Sequence, residues 1–205
     1  MPYSKEHKQR SKDKILESAV ALFCHQGFEN VSIDDLMEHA AMTRGAFYAH
    51  FKSKADVYNQ AITAASRNVT LIIDQPEVLK KEKLLAYFID AYLSLRHVNQ
   101  QCSPCPLAFL ASDVTTGDEK VKQTYTLVFQ GFLNNVSRNL PDKFNAGEKR
   151  QLSHNIAVLM IGSVVIARAL EDEELQIQLL ESSKQTAFSL AGVKNIDESL
   201  RWPQV

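Results

Sequence analysis

The chain has 205 residues, 45% of them hydrophobic and 23% charged, with a formal net charge of −1 at pH 7. This is the composition of a globular protein with a sizeable core, and it excludes a surface coated in positive charge. The longest apolar run, Ile156 to Ala167, falls short of the roughly 18 residues that cross a bilayer, so no membrane partner is expected.

In chain order, the first 14 residues carry Lys5, Lys8, Arg10, Lys12 and Lys14 against Glu6 and Asp13, a local net of +3 that the whole-chain sum hides. Such an arm suits an anionic partner or a solvated tail. The opening is polar throughout and holds no secretory leader, which makes the cytoplasm the expected location and the three cysteines reduced thiols. Ile15, Ala19, Leu22 and Phe23 recur at spacings of three and four, predicting an amphipathic helix over 12–26 that Gly27 closes with a left-handed cap. Ser32, with Asp35 three residues on, reads as the N-cap and variant capping box of a short helix over 33–40. Thr43 caps a third over 44–50, and Ser53 precedes a fourth over 55–70.

Longer helices follow over 82–98 and, after the prolines of "NQQCSPCP", a short one over "LAFLASDV". Three more cover 119–140, 146–170 and 173–191, and a tail with little periodicity ends the chain. No strand alternation, repeat or low-complexity tract interrupts this pattern, so the fold is expected to be all-α.

Two short helices joined by a tight turn, the second opening on Thr43, Arg44 and Gly45, make a helix-turn-helix. Arg44 can pair with guanine or phosphate, Thr43 can contact either, and Gly45 has no side chain to hold the helix off. Phe47 and Phe51 lie four apart on one face and are expected to be core; Tyr48 and His50 fall off that face.

This ordered set resembles the TetR/AcrR family of bacterial transcriptional regulators, from "ALFCHQGFENVSIDDLMEHA" through "MTRGAFYAHFKSKADVY". The resemblance implies an N-terminal three-helix DNA-binding domain over 1–53, a larger ligand-binding and dimerisation domain over 54–195, and a tail over 196–205. It also implies that Ser32 opens the second helix, that Thr43, Arg44 and Gly45 form the recognition set, and that Tyr48, His50 and Lys54 contact phosphates. The family's turn commonly has glycine where this chain has Ala41; at positive φ, alanine there costs roughly 1 kcal/mol.

Cys102 and Cys105 form a CxxC, which in other settings marks a thiol oxidoreductase or half a zinc site. No strand precedes it and no second ligand pair accompanies it, so no metal or cofactor is expected. Cys105, Pro106, Leu107 and Ala108 match a helix opening seen in many members of the resembled family, and packing is the simplest role for Cys105. A thiol sensor using Cys102 and Cys105 on the same fold is the alternative. Cys24 is expected to be packed.

No phosphate loop, nucleophile elbow or carboxylate pair points to catalysis, and the chain is not expected to be an enzyme. The 146–170 helix is apolar around most of its circumference, with Gly162 and Ser163 permitting close approach. Together with the 173–191 helix it is expected to form a homodimer interface of four helices. Phe88, Tyr92, Phe109, Tyr125, Phe129 and Phe132 are expected to face an apolar or aromatic small molecule, with His97 and His154 adding polar contacts.

The combined reading is a repressor that binds a palindromic double-stranded operator as a dimer and leaves it on binding an inducer. The alternative from another class is a helical ligand carrier or small enzyme with no DNA binding.

Overall fold

A computed structural model describes residues 5–68, 81–101 and 104–194. The described residues are all-α: α1 (Lys5–Gln26), α2 (Ile33–His39), α3 (Arg44–Tyr48), α4 (Lys54–Asn68), α5 (Lys81–Tyr92), α6 (Leu95–Val98), α7 (Pro106–Phe109), α8 (Ala111–Thr116), α9 (Glu119–Asn139), α10 (Ala146–Ala169) and α11 (Glu173–Ala191). They fall into two compact units, one of residues 5–68 with 104–128 and one of 81–101 with 129–194.

In the first unit α1 starts at Lys5, so the basic segment is helix rather than a loose arm. Its polar turns have no apolar face to announce them; they extend a helix nucleated by the apolar stripe, with Gln9 donating to Asp13 across one turn at 2.7 Å. α2 has the full capping box: Ser32 Oγ accepts from the Asp35 amide at 3.1 Å, and Asp35 Oδ2 accepts from the Ser32 amide at 2.7 Å. Those bonds to Ser32 hold the Asp35 carboxyl below its ordinary range. Ile15, Ala19, Phe23, Leu36, Met37, Phe47, Phe51, Val57 and Ile62 form the core, each larger apolar side chain contributing about 1.5–3 kcal/mol by leaving water. α1 packs on α2 and α4, α2 on α3, and α7 on both α1 and α4.

α2 ends in a Schellman motif. The Met42 amide donates to the Met37 carbonyl at 2.8 Å and the Ala41 amide to Glu38 at 2.9 Å, with Ala41 left-handed at φ 53. The end of α11 repeats the motif, the Val193 amide donating to Phe188 at 3.2 Å, but there the left-handed residue is Gly192 at φ 63.

In the second unit α11 packs on α5, α6 and α10, and α6 also meets α10. Asn145 and Glu148 form a reciprocal box that starts α10. Ser163 donates to Ser183 at 2.7 Å where α10 meets α11. The helix expected over 82–98 is broken: Ser94 donates to the Ala91 carbonyl at 2.7 Å, and its Oγ accepts from the His97 amide at 3.3 Å to cap α6. The single helix expected over "LAFLASDV" is likewise two, α7 and α8, meeting at Leu110. α10 as a whole reaches the length and composition of a bilayer span, although its longest apolar run does not. Ile156, Met160, Val164 and Ala167 bury one face of it within this unit.

Candidate nucleic-acid interface

α3 divides by face. Phe47 is fully buried, its ring 5.5 Å from Phe51, whereas Tyr48 is 57% exposed and stands edge-on to Phe47 at 5.3 Å. Arg44, one turn before Tyr48, is exposed. Its Nη1 lies 2.8 Å from Asp34 Oδ2, and the Tyr48 hydroxyl first, then the Asp34 charge, favour the charged guanidinium. An ion pair this open to water is weakly held, so Arg44 can exchange Asp34 for another anion.

Thr43 occupies the N-cap position with no side-chain capping bond, which leaves its hydroxyl for an outside partner. A methyl added to Gly45 would meet nothing nearer than Thr43 Oγ1 at 3.9 Å. The protein's own packing therefore does not require glycine there, whereas close approach of a partner's backbone would.

His50 follows on the same side, half-buried, with its pKa pushed below the ordinary imidazole value by burial and then by the charges of Lys8 and Lys12. The basic start of α1 thus stands beside the end of α3. Lys12 also lies 5.7 Å from the centre of the Phe51 ring.

Lys54 departs from the expectation. Its ammonium donates to the Phe28 carbonyl at 2.9 Å and sits 4.3 Å from the Phe28 ring centre, so its charge is directed into the unit and not held out with Tyr48 and His50. Ser32 is exposed at the start of α2, its oxygen occupied in capping.

This is the arrangement of a helix-turn-helix with its reading face open. The family profile described as "Bacterial regulatory proteins, tetR family" matches residues 15–61, α1 through most of α4. Over these residues, and not beyond them, the chain matches the TetR family.

Among its relatives, the HTH-type transcriptional regulator AcrR of Shigella flexneri is 33% identical over 66 residues, which is 32% of this chain and 31% of that one. The biofilm operon negative transcriptional regulator IcaR of Staphylococcus aureus is 33% identical over 51 residues, covering 25% and 27%. The matched stretch thus spans under a third of either curated relative. Fold likeness runs further. The structure of reduced NemR from E. coli superposes with a TM-score of 0.72 at 17% identity over 88% of this chain and 96% of that one. The regulatory protein TetR from Rhodobacter sphaeroides gives 0.71 at 16% identity over 87% and 97%.

The residues expected to line an effector site are divided between the two units. Phe88, Tyr92 and Phe132 do meet, with ring centres 5.3 to 5.9 Å apart, and His97 lies 4.4 Å from Tyr92. His97 is fully buried beside the Tyr92 carbonyl at 2.8 Å; burial lowers its pKa to about 4, with the Arg168 charge adding to the shift. Phe129 is half-buried in the same unit. Phe109 and Tyr125 belong to the other unit, where the Tyr125 hydroxyl donates to the Leu107 carbonyl at 2.7 Å. Burial, then the neighbouring Cys105, raises the Tyr125 pKa to about 12. His154 is exposed, its ring nitrogen 2.7 Å from the Arg150 carbonyl of its own helix, and is not part of a core cluster.

Cys105 and Cys24 are buried thiols, and Cys102 lies outside the described residues. No group of three or more His, Cys, Asp or Glu able to hold a metal occurs among the described residues.

Sequence reading missed a buried ion pair, Asp90 Oδ1 to Lys184 Nζ at 3.1 Å, with both side chains at most 5% exposed and Glu181 also 2.7 Å from the ammonium. Its signal was in the sequence: a lone aspartate inside the apolar run "YFIDAYL". Asp34, the partner of Arg44, left no such mark.

Proposed function

We propose that this chain is a ligand-responsive transcriptional regulator that acts as a repressor, binding a palindromic double-stranded DNA operator as a homodimer. The observation that carries the reading is the outer face of α3. Arg44 and Gly45 have no packing role there, Tyr48 is 57% exposed with its ring edge-on to Phe47, Thr43 has no side-chain capping bond, and Lys8 and Lys12 add positive charge beside His50. In this reading Arg44 and Thr43 meet base edges or phosphate, and Tyr48 and His50 meet phosphate. Lys54 braces the domain from within.

Dimerisation runs through α10 and α11. Val158, Val165 and Ile166 on α10, with Leu175 and Ile177 on α11, are large apolar side chains 39 to 64% exposed, and the space beside Gly162 is open. A second copy covers this surface and completes a four-helix contact that sets two α3 helices about one turn of DNA apart. The inducer is a small apolar or aromatic molecule that enters at Phe88, Tyr92 and Phe132. It releases DNA only to the extent that it prefers the non-binding conformation. The protein works in the cytoplasm, where its operator lies.

The test is selection of duplexes from a random DNA pool, followed by salt titration of the winner's affinity. A palindromic consensus with a steep negative salt slope is expected; a pool with no consensus and a flat slope would leave the chain a ligand carrier.

A further inference from the structure

The loop that delivers α2 and α3 is held from a helix far along the chain. Gly27 ends α1 in the left-handed region at φ 80, its amide donating to the Phe23 carbonyl at 2.8 Å. A Cβ there would lie 3.1 Å from Asp113 Oδ2 and 3.4 Å from Oδ1, so glycine serves twice, for the backbone angle and for the approach of a carboxylate from α8.

The next residue, Phe28, is clamped at both backbone groups. Its amide donates to Asp113 Oδ2 at 2.7 Å, and its carbonyl accepts from Lys54 Nζ at 2.9 Å. Its ring sits under the Lys54 ammonium and against Tyr58 at 4.7 Å and Phe23 at 5.9 Å. The Tyr58 hydroxyl is buried without a hydrogen-bond partner, and its proton is held tightly, by burial first and then by the Asp113 charge.

We propose that Asp113 is a positioning residue for DNA binding, a latch through which the 104–128 segment sets the orientation of α2 and α3. The inference rests on the DNA-binding reading above. Only three residues separate Phe28 from Ser32, the cap of α2, and the Ala41 motif carries α2 into α3. Fixing Phe28 therefore fixes the entry angle of the whole reading element. A charge-assisted bond to a backbone amide is among the stronger single contacts a loop can have. Removing that carboxylate frees the amide, and α3 loses its register on DNA without losing any residue that touches DNA.

The experiment compares wild type, Asp113→Ala and Asp113→Asn in operator affinity, in the salt slope of that affinity, and in amide exchange at Phe28. Asp113→Ala is expected to weaken binding about tenfold or more, to leave the salt slope unchanged because no phosphate contact is removed, and to unprotect the Phe28 amide. Asp113→Asn keeps an accepting oxygen without the charge and is expected to lie between the two, several-fold weaker than wild type at unchanged slope, with the Phe28 amide partly protected.

An Asp113→Ala protein that binds within about twofold of wild type, or whose Phe28 amide stays protected, overturns the proposal. If alanine prevents folding, Asp113→Asn alone decides, with a several-fold loss at unchanged slope expected and no loss overturning it. A wild type that binds no duplex with a steep slope fails the DNA-binding reading instead, and the exchange measurement still reports on the latch.

Discussion

Replacing Ala41 with glycine should stabilise the protein, although alanine to glycine normally does the reverse. Ala41 is held at φ 53 by the two bonds of the α2 Schellman motif, where an L-residue's Cβ crowds the following carbonyl at a cost of roughly 1–2 kcal/mol. Glycine removes that cost but leaves the unfolded chain freer by about 0.4–1 kcal/mol. Ala41 is exposed, so its methyl buries nothing that would be lost. The net expectation is a gain of about 0.5–1 kcal/mol, or roughly 2 °C in Tm for a chain of this length.

The control is Ala49→Gly, at an exposed alanine with φ −75 that caps α3 in the ordinary helical region. It should lose about 0.5–1 kcal/mol. Both are read by urea unfolding at fixed protomer concentration. Opposite signs are expected; equal losses at the two sites would show that Ala41 carries no strain and that the reasoning about the turn is wrong.

Two further outcomes follow from the second unit. Val158→Lys places a charge at a site 64% exposed, and should leave helix content and unfolding cooperativity intact while sedimentation shifts from dimer to monomer; an unchanged dimer would move the interface elsewhere. Burial lowers the His97 pKa from the ordinary 6.5 of the unfolded chain to about 4 in the folded one. Below pH 6.5 the unfolded chain binds a proton that the folded one refuses, so the contribution of His97 is fully present above that value. It is lost as pH falls towards about 4, by roughly 3 kcal/mol in all. His97→Gln should flatten that part of the stability profile, and a profile identical to wild type would remove His97 from the account.

Much of the first unit was legible because its signals are local. The capping box at Ser32, the left-handed Gly27, the buried pair Phe47 and Phe51, and the strained Ala41 each depend on residues within a few positions. Helix existence was legible from apolar spacing. Helix limits were not, where that spacing is missing, as along the polar start of α1, or where it runs through a break, as Tyr92 and Leu95 do across the Ser94 cap.

Periodicity reports which side of a helix is apolar but not which helix covers it. For that reason Phe109 and Tyr125 were grouped with Phe88 and Tyr92 although they pack in another unit. The Asp113 contact with Phe28 spans 85 residues, and Lys54 turns inward because a ring and a carbonyl wait for it. Neither follows from spacing along a single helix.

The central claim is that the outer face of α3 reads DNA, and the salt dependence of operator affinity tests it most directly, for wild type and for Gly45→Ala. A methyl on Gly45 meets no internal clash, so that variant should fold as well as wild type or better. With roughly two cationic contacts per protomer, the wild-type logarithmic slope should be near −4 or steeper. Gly45→Ala should lose at least about tenfold in affinity as the helix is held off the groove. A shallow wild-type slope, or a Gly45→Ala protein that binds as tightly as its parent, would contradict the account.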